Sequence, residues 1–133
     1  MNLVTGGTGH IGNVLVRELL NRGESVRVLV LPDEDLTPIK GLNVEIHYGN
    51  ILDPQCLVNA VTGIDTVFHL AGIISISSSH VEIVHKVNVE GTRNMVDAAM
   101  KAGVRRFIYT SSIHAFKRVP HGMVIDETTP IDP

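Results

Sequence analysis

The stretch that most constrains this chain is Thr5-Gly6-Gly7-Thr8-Gly9-His10-Ile11-Gly12. It follows an apolar block of strand length, Asn2–Thr5, and opens a segment of helical periodicity, Ile11–Asn21. Three glycines at GxxGxxG spacing between a strand and a helix have separate tasks. Gly6 permits a tight turn, Gly9 lets backbone come close to an anion such as a pyrophosphate, and Gly12 lets the helix pack close to a sheet. A helix that begins there also offers the anion its free N–H groups and the positive end of its dipole. His10 and Ile11, at the start of that helix, join the glycines as candidate binding positions.

The rest of the chain alternates in the same way. Ile11, Val14, Leu15 and Leu19 recur at helical spacing before Gly23. Ser25–Leu31 reads as a second strand ended by Pro32, Asp33–Gly41 as a polar connection, and Val44–Tyr48 as a third strand. Asp53-Pro54 has the form of a helix N-cap with proline at the first helical position, and that helix runs to about Thr62. Thr66–Leu70 is a fourth strand. Ser77, Ser78 and Ser79 offer caps for a long helix from His80 to Ala102, with Val84, Val87, Gly91, Met95, Ala98 and Ala102 as its buried stripe. Arg106–Thr110 is a fifth strand, and the chain is irregular after Ser112. Such alternation predicts an α/β fold, a Rossmann-type parallel sheet with helices on both faces and strand order 3-2-1-4-5.

Composition narrows the function. The chain has 133 residues, one domain's worth, and is 44% hydrophobic but only 4% aromatic, so aliphatic side chains must fill the core. Its net charge of −3 comes without a basic stripe, which argues against nucleic acid and against a membrane surface. No apolar run reaches the length of a membrane span. Cys56 is the single cysteine and cannot close a disulfide within the chain; with no signal-peptide pattern at the start, the expectation is a cytoplasmic protein. An ordinary packed thiol is the expected role of Cys56. The seven histidines lack ligand spacing. His80 and His85 do not share a helix face, and no metal site is expected.

Five ordered stretches carry a family resemblance: TGGTGHIG (5–12), YGNILD (48–53), VFHLAG (67–72), VNVEGTRNMVDAA (87–99) and RFIYTSS (106–112). Together they resemble the N-terminal, cofactor-binding part of the extended short-chain dehydrogenases/reductases, in particular dihydroflavonol-reductase-like and NAD-dependent epimerase/dehydratase proteins. The resemblance implies NAD or NADP as cofactor and a small-molecule substrate, with reduction of a ketone on a small or polycyclic compound as the first reading. It also implies a homodimer. The end of the second strand would read the adenosine ribose. There Leu31 stands where an arginine would pair with the phosphate of NADP, and Asp33 is the acidic candidate, which leans the choice toward NAD. A solvated loop position for Asp33 is the competing reading. Asn50 and Ile51 match the adenine-contacting pair, and Leu70, Ala71 and Gly72 match the path toward the nicotinamide.

The resemblance also locates the chemistry. Ser112 matches the family's catalytic serine, with a simple cap as the alternative, and Thr110 matches a position on the nicotinamide side. Asn88 matches an asparagine used for helix positioning and proton relay, a purely structural role being the other possibility. The family's acid/base tyrosine and its lysine form a YxxxK pair, and no YxxxK occurs in these 133 residues. The expectation is therefore a Rossmann domain over residues 1–133, truncated before the catalytic helix and lacking a substrate lobe, which binds dinucleotide but is inactive alone. A non-catalytic, NAD(P)-sensing regulatory module is the alternative.

Overall fold

A computed structural model describes residues 1–75 and 80–132. Five parallel strands form one sheet: β1 (Asn2–Thr5), β2 (Val26–Val30), β3 (Glu45–Tyr48), β4 (Thr66–His69) and β5 (Arg106–Tyr109). Their order is β3-β2-β1-β4-β5, the order expected from the alternation. The registers pair Thr5 with Leu29 on one side and with His69 on the other, so the carboxyl ends of the three central strands finish side by side.

The central strands are continuous aliphatic runs because both of their faces are covered. Leu3 packs with Leu29, Leu57, Val67 and Met95 on one face. Its neighbour Val4 packs with Val16, Leu19, Val28 and Val30 on the other. Successive side chains on a strand point to opposite faces, so α1 (His10–Asn21) covers one side, while α2 (Pro54–Ala60) and α4 (Thr92–Lys101) cover the other.

Two local expectations change on the way. The buried face of α1 is Gly12, Val16 and Leu19, whereas Ile11 and Val14 are exposed. Gly12 sets this rotation, since an ideal Cβ there would lie 2.0 Å from the Gly6 carbonyl oxygen. The residues that follow Gly12 at helical spacing must therefore face the sheet. The long second-half helix is broken into α3 (Val81–His85), a π-helical segment (Lys86–Gly91) and α4. Its stripe is Gly91, Met95, Ala98 and Ala99, with Val84 and Val87 half-buried; Ala102 is exposed because α4 ends at Lys101 and Ala102 is only its cap. The serine caps expected at Ser77–79 lie outside the described residues.

The expected cap of α2 forms. The Asp53 carboxylate accepts from the N–H groups of Gln55 (3.0 Å) and Cys56 (3.3 Å). At the other end of α2, Arg27 reaches across from β2 and donates to the Ala60 and Thr62 carbonyls, both at 2.8 Å, while pairing with Glu45 at 2.7 Å. That contact fixes Arg27 on the helix-covered face, away from the carboxyl edge of the sheet.

Candidate functional site

A cleft of about 460 Å³ opens at the carboxyl edge of the sheet, where β1, β2 and β4 end. Its floor is the glycine-rich loop. Gly6 has φ +69°, and an ideal Cβ on it would lie 2.9 Å from both Ala71 N and Leu70 C. Backbone therefore meets backbone where the β1 loop touches the β4 loop, and only glycine allows it. Gly7, to which the sequence motif assigns no task, sits on the sheet, where a Cβ would meet Val28 Cγ1 at 2.5 Å. At Gly9 the only close atom is the Gly6 oxygen at 3.2 Å, so its outer side faces open space. Gly9 caps α1 and no side chain caps the helix, which leaves the first-turn N–H groups to an anion.

The acidic residue of this cleft is Glu34. The chain turns after β2, with the Glu34 N–H donating to the Leu31 carbonyl at 3.2 Å. That turn brings the Glu34 side chain back over its own start. The carboxylate accepts from the Leu31 N–H at 2.8 Å and from the Thr8 hydroxyl of the glycine-rich loop. Asp33, one residue earlier in the turn, is exposed and lies outside the cleft lining, the position of the solvated alternative. Glu34 could have been found from the sequence by counting the turn, because residues i and i+3 of a β-turn lie close together and i+2 points outward. Among the described residues, no arginine or lysine lines the cleft.

Asn50 and Ile51 line the far end of the cleft. The Asn50 side chain accepts from the Leu52 N–H at 2.9 Å, and Asn94 of α4 donates to the Ile51 carbonyl at 3.1 Å. Ile51 packs on Gly91, where a Cβ would come within 2.6 Å of its Cδ1. A close helix contact thus supports this loop from below.

Leu70, Ala71 and Gly72 form the wall opposite Glu34. Leu70 N–H donates to the Thr5 carbonyl (3.2 Å) and Ala71 N–H to the Thr5 hydroxyl (3.1 Å). Asn88 projects from the π-helical segment and engages Ile73 twice, accepting from its N–H at 2.8 Å and donating to its carbonyl at 2.9 Å. These bonds satisfy backbone just beyond β4, and Asn88 itself is not part of the lining. His69, fully buried at the end of β4, has its ring nitrogens 2.8 Å from Thr5 Oγ1 and 3.0 Å from Thr92 Oγ1. Burial pushes its pKa down to about 4.

Gly6, Gly9, Asn50, Ile51, Leu70, Ala71 and Gly72 therefore converge on one cleft, while His10, Ile11, Gly12, Asp33, Asn88, Thr110 and Ser112 lie outside its lining. Thr110 continues β5 with its N–H on the His69 carbonyl at 3.1 Å. Ser112 is exposed, and its hydroxyl accepts from the His114 N–H at 3.2 Å, capping the short 3-10 turn Ile113–Ala115. Among the described residues no three His, Cys, Asp or Glu side chains are grouped to hold a metal ion. No helix among them is long and apolar enough to cross a membrane.

A family model for the 3-beta hydroxysteroid dehydrogenase/isomerase family matches residues 3–133. The chain belongs to that family. Sterol demethylase protein B of Methylococcus capsulatus is 42% identical over 120 residues, which are 90% of this chain and 37% of that protein. A 3-beta-hydroxysteroid dehydrogenase of Mycolicibacterium neoaurum is 40% identical over 116 residues, 83% of this chain and 31% of that one. Among solved structures, a short-chain dehydrogenase/reductase superfamily protein from Agrobacterium tumefaciens with bound NAD superposes with a TM-score of 0.84 at 36% identity, covering 100% of this chain and 39% of that chain. This 3-beta hydroxysteroid dehydrogenase/isomerase family member thus spans well under half the length of these relatives, and its fold is the extended short-chain dehydrogenase/reductase fold that the five ordered stretches imply.

Proposed function

We propose that residues 1–133 are the dinucleotide-binding domain of an NAD-dependent oxidoreductase that interconverts an alcohol and a ketone. The observation that carries this reading is the composition of one cleft. A glycine-rich loop and an uncapped helix start stand at its floor, and a carboxylate stands at its rim, with no arginine or lysine among the described residues of the lining. The first two suit a pyrophosphate. Glu34 suits the free hydroxyls of the NAD ribose and repels the extra phosphate of NADP. The NAD in the Agrobacterium structure and the hydroxysteroid dehydrogenase activity named for the mycobacterial relative point the same way, the latter toward a polycyclic alcohol as substrate.

When bound, the nicotinamide supplies the hydride acceptor or donor. The chain's own residues bind and orient. The N–H groups that open α1 hold the pyrophosphate, Glu34 accepts from the ribose, and the Leu70–Gly72 wall, free of bulky side chains at Ala71 and Gly72, lets the ring lie close to the sheet edge. Ser112 holds the substrate oxygen in the family's manner: its hydroxyl accepts from the His114 N–H and keeps its own hydrogen to donate. The acid/base tyrosine and its lysine are not among these 133 residues, so this chain alone binds cofactor without turnover.

The test is a fluorescence titration of NADH with the purified chain, paired with an assay for alcohol oxidation. Saturable enhancement of NADH emission with no product supports the reading. No saturable change would remove the cofactor assignment, and sustained product formation would show that these 133 residues supply their own acid/base.

A further inference from the structure

The cleft's nicotinamide-side wall hangs on a buried chain of hydrogen bonds that runs through His69. Thr5 Oγ1 accepts from the Ala71 N–H at 3.1 Å, a bond whose direction is certain because the amide can only donate. Thr5 is 1% exposed, so its own hydroxyl hydrogen needs an acceptor inside the protein. Among the described residues, its side chain has just one other hydrogen-bond partner, His69 Nδ1 at 2.8 Å. Nδ1 therefore accepts and is bare, and the ring hydrogen sits on Nε2, 3.0 Å from Thr92 Oγ1. The opposite tautomer would aim two N–H groups at the Thr5 oxygen and strand the hydroxyl hydrogen. A charged ring would do the same.

The ring cannot easily turn away from this arrangement. Its centroid lies 5.8 Å from that of Phe107 and 6.0 Å from that of Tyr109, whose ring is inclined by only 24°. Both aromatic rings come from β5, so the imidazole is enclosed by β1, β5 and the start of α4. The hydrogen-bonding pattern is what demands histidine.

We infer that His69, as the Nε2–H tautomer, is a positioning residue for the dinucleotide: it links Thr92 at the start of α4 to the Thr5 hydroxyl that holds the Ala71 N–H, and so sets the wall against which the cofactor lies. The inference rests on the dinucleotide reading of the cleft. Asn88 anchors the next residue but one, Ile73, from the adjacent π-helical turn. The wall is thus held from the same helix at two points, one direct and one through His69.

Three variants of the full chain test this: His69→Leu, His69→Asn and Thr5→Val. Two readouts are taken on each, NADH affinity and hydrogen exchange at the Ala71 amide. Loss of one buried hydrogen-bond link corresponds to about a tenfold change. His69→Leu is expected to weaken NADH binding about tenfold and to speed Ala71 exchange by a similar factor. Asparagine places its side-chain oxygen where Nδ1 stood, so His69→Asn is expected to recover most of both. Thr5→Val removes the acceptor of the Ala71 N–H itself and should do at least as much as His69→Leu, and adding His69→Leu to it should cost little more, because the two residues act in series. Unchanged Ala71 exchange in a folded His69→Leu protein would overturn the inference. So would faster exchange with full NADH affinity, or an asparagine variant no better than leucine. If the unmodified chain fails to bind NADH while Ala71 exchange responds as described, the network is real but the cofactor reading of the cleft fails, and the positioning role falls with it.

Discussion

The carboxylate of Glu34 accepts a hydrogen bond from the hydroxyl of Thr8, so the turn after β2 is tied to the glycine-rich loop. The same carboxylate accepts from the Leu31 N–H. The carboxylate is thereby held at the rim of the cleft, where the proposed binding mode puts the ribose that distinguishes NAD from NADP. At an effective dielectric constant near 20, a carboxylate about 6 Å from a phosphate charge costs roughly 3 kcal/mol before salt screening. Replacing Glu34 by Gln should raise NADPH affinity relative to NADH by about tenfold or more, and Leu31→Arg should push the ratio further. The ratio of the two dissociation constants, measured at one salt concentration, checks this. An unchanged ratio in Glu34→Gln would show that the carboxylate does not read the ribose.

Two glycines of one loop should respond in opposite ways. At Gly12 a Cβ would lie 2.0 Å from backbone, whereas at Gly9 the nearest atom is 3.2 Å away and the outer side is open. Gly9→Val should therefore abolish dinucleotide binding while most of the fold survives, with melting temperature lowered by only a few degrees. Gly12→Ala should cost several kcal/mol, because α1 must move off the sheet. Thermal melting and calorimetric titration of the pair separate the two effects. Full NADH affinity in Gly9→Val would mean that the loop is not a phosphate cradle.

Much of this fold is legible in the sequence because its signals are local. Aliphatic runs bounded by glycine and proline mark the central strands, and Asp53-Pro54 marks the start of α2 through a cap that forms as its chemistry requires. Side-chain direction is less legible. Ile11 and Val14 match helical spacing as well as Val16 does, and only the contact of Gly12 with the Gly6 carbonyl decides which face is buried. The stripe drawn for the second-half helix runs one position past its end at Lys101, to Ala102, and misses Ala99, which is buried beside Ala98. Glu34 and His69 escape a motif reading for a related reason. One acts through a turn that folds it back on Leu31, the other through partners in β1 and α4 that lie far from it in the chain.

Acid should weaken the fold through His69. Its folded pKa, about 4, lies below the ordinary histidine value of 6.5. As pH falls through 6.5 the unfolded chain takes up a proton that the native ring refuses, so stability declines between about pH 6.5 and 4 and the decline stops below that. The loss is on the order of 3 kcal/mol. The groups around the ring are Thr5, Thr92, Phe107 and Tyr109, and no carboxylate is among them. Asp35, held below its usual range by hydrogen bonds from Thr37, and Asp126, held down by Thr128, lose their contributions only as pH falls below 3.8, outside this window. Denaturant melts from pH 7 to 4 should show a shallower decline in His69→Asn than in the unmodified chain. Parallel declines would contradict the burial argument.

The free surface of β5 and of the second-half helix should drive self-association. Ile108 and Tyr109 on β5 are 44% and 52% exposed, and Val81, Ile83 and Val89 on the helix are 64%, 42% and 42% exposed. Apolar surface of this extent beside a strand edge favours a dimer of this chain or further association. Light scattering over a concentration series should show a mass that rises above one chain. A constant monomer mass up to high concentration would contradict this.

The central claim is that the dinucleotide lies at the carboxyl edge of the sheet, between the glycine-rich loop and the Leu70–Gly72 wall. Amide chemical shifts of the isotopically labelled chain, followed as NAD is added, test it most directly. Saturable shifts are expected at Gly6, Gly7, Gly9, His10 and Ile11, at Leu31 and Glu34, and at Ala71 and Gly72, with the opposite edge of the sheet around Glu24 and Asp65 unmoved. Shifts confined to that opposite edge, or none at saturating NAD, would contradict it.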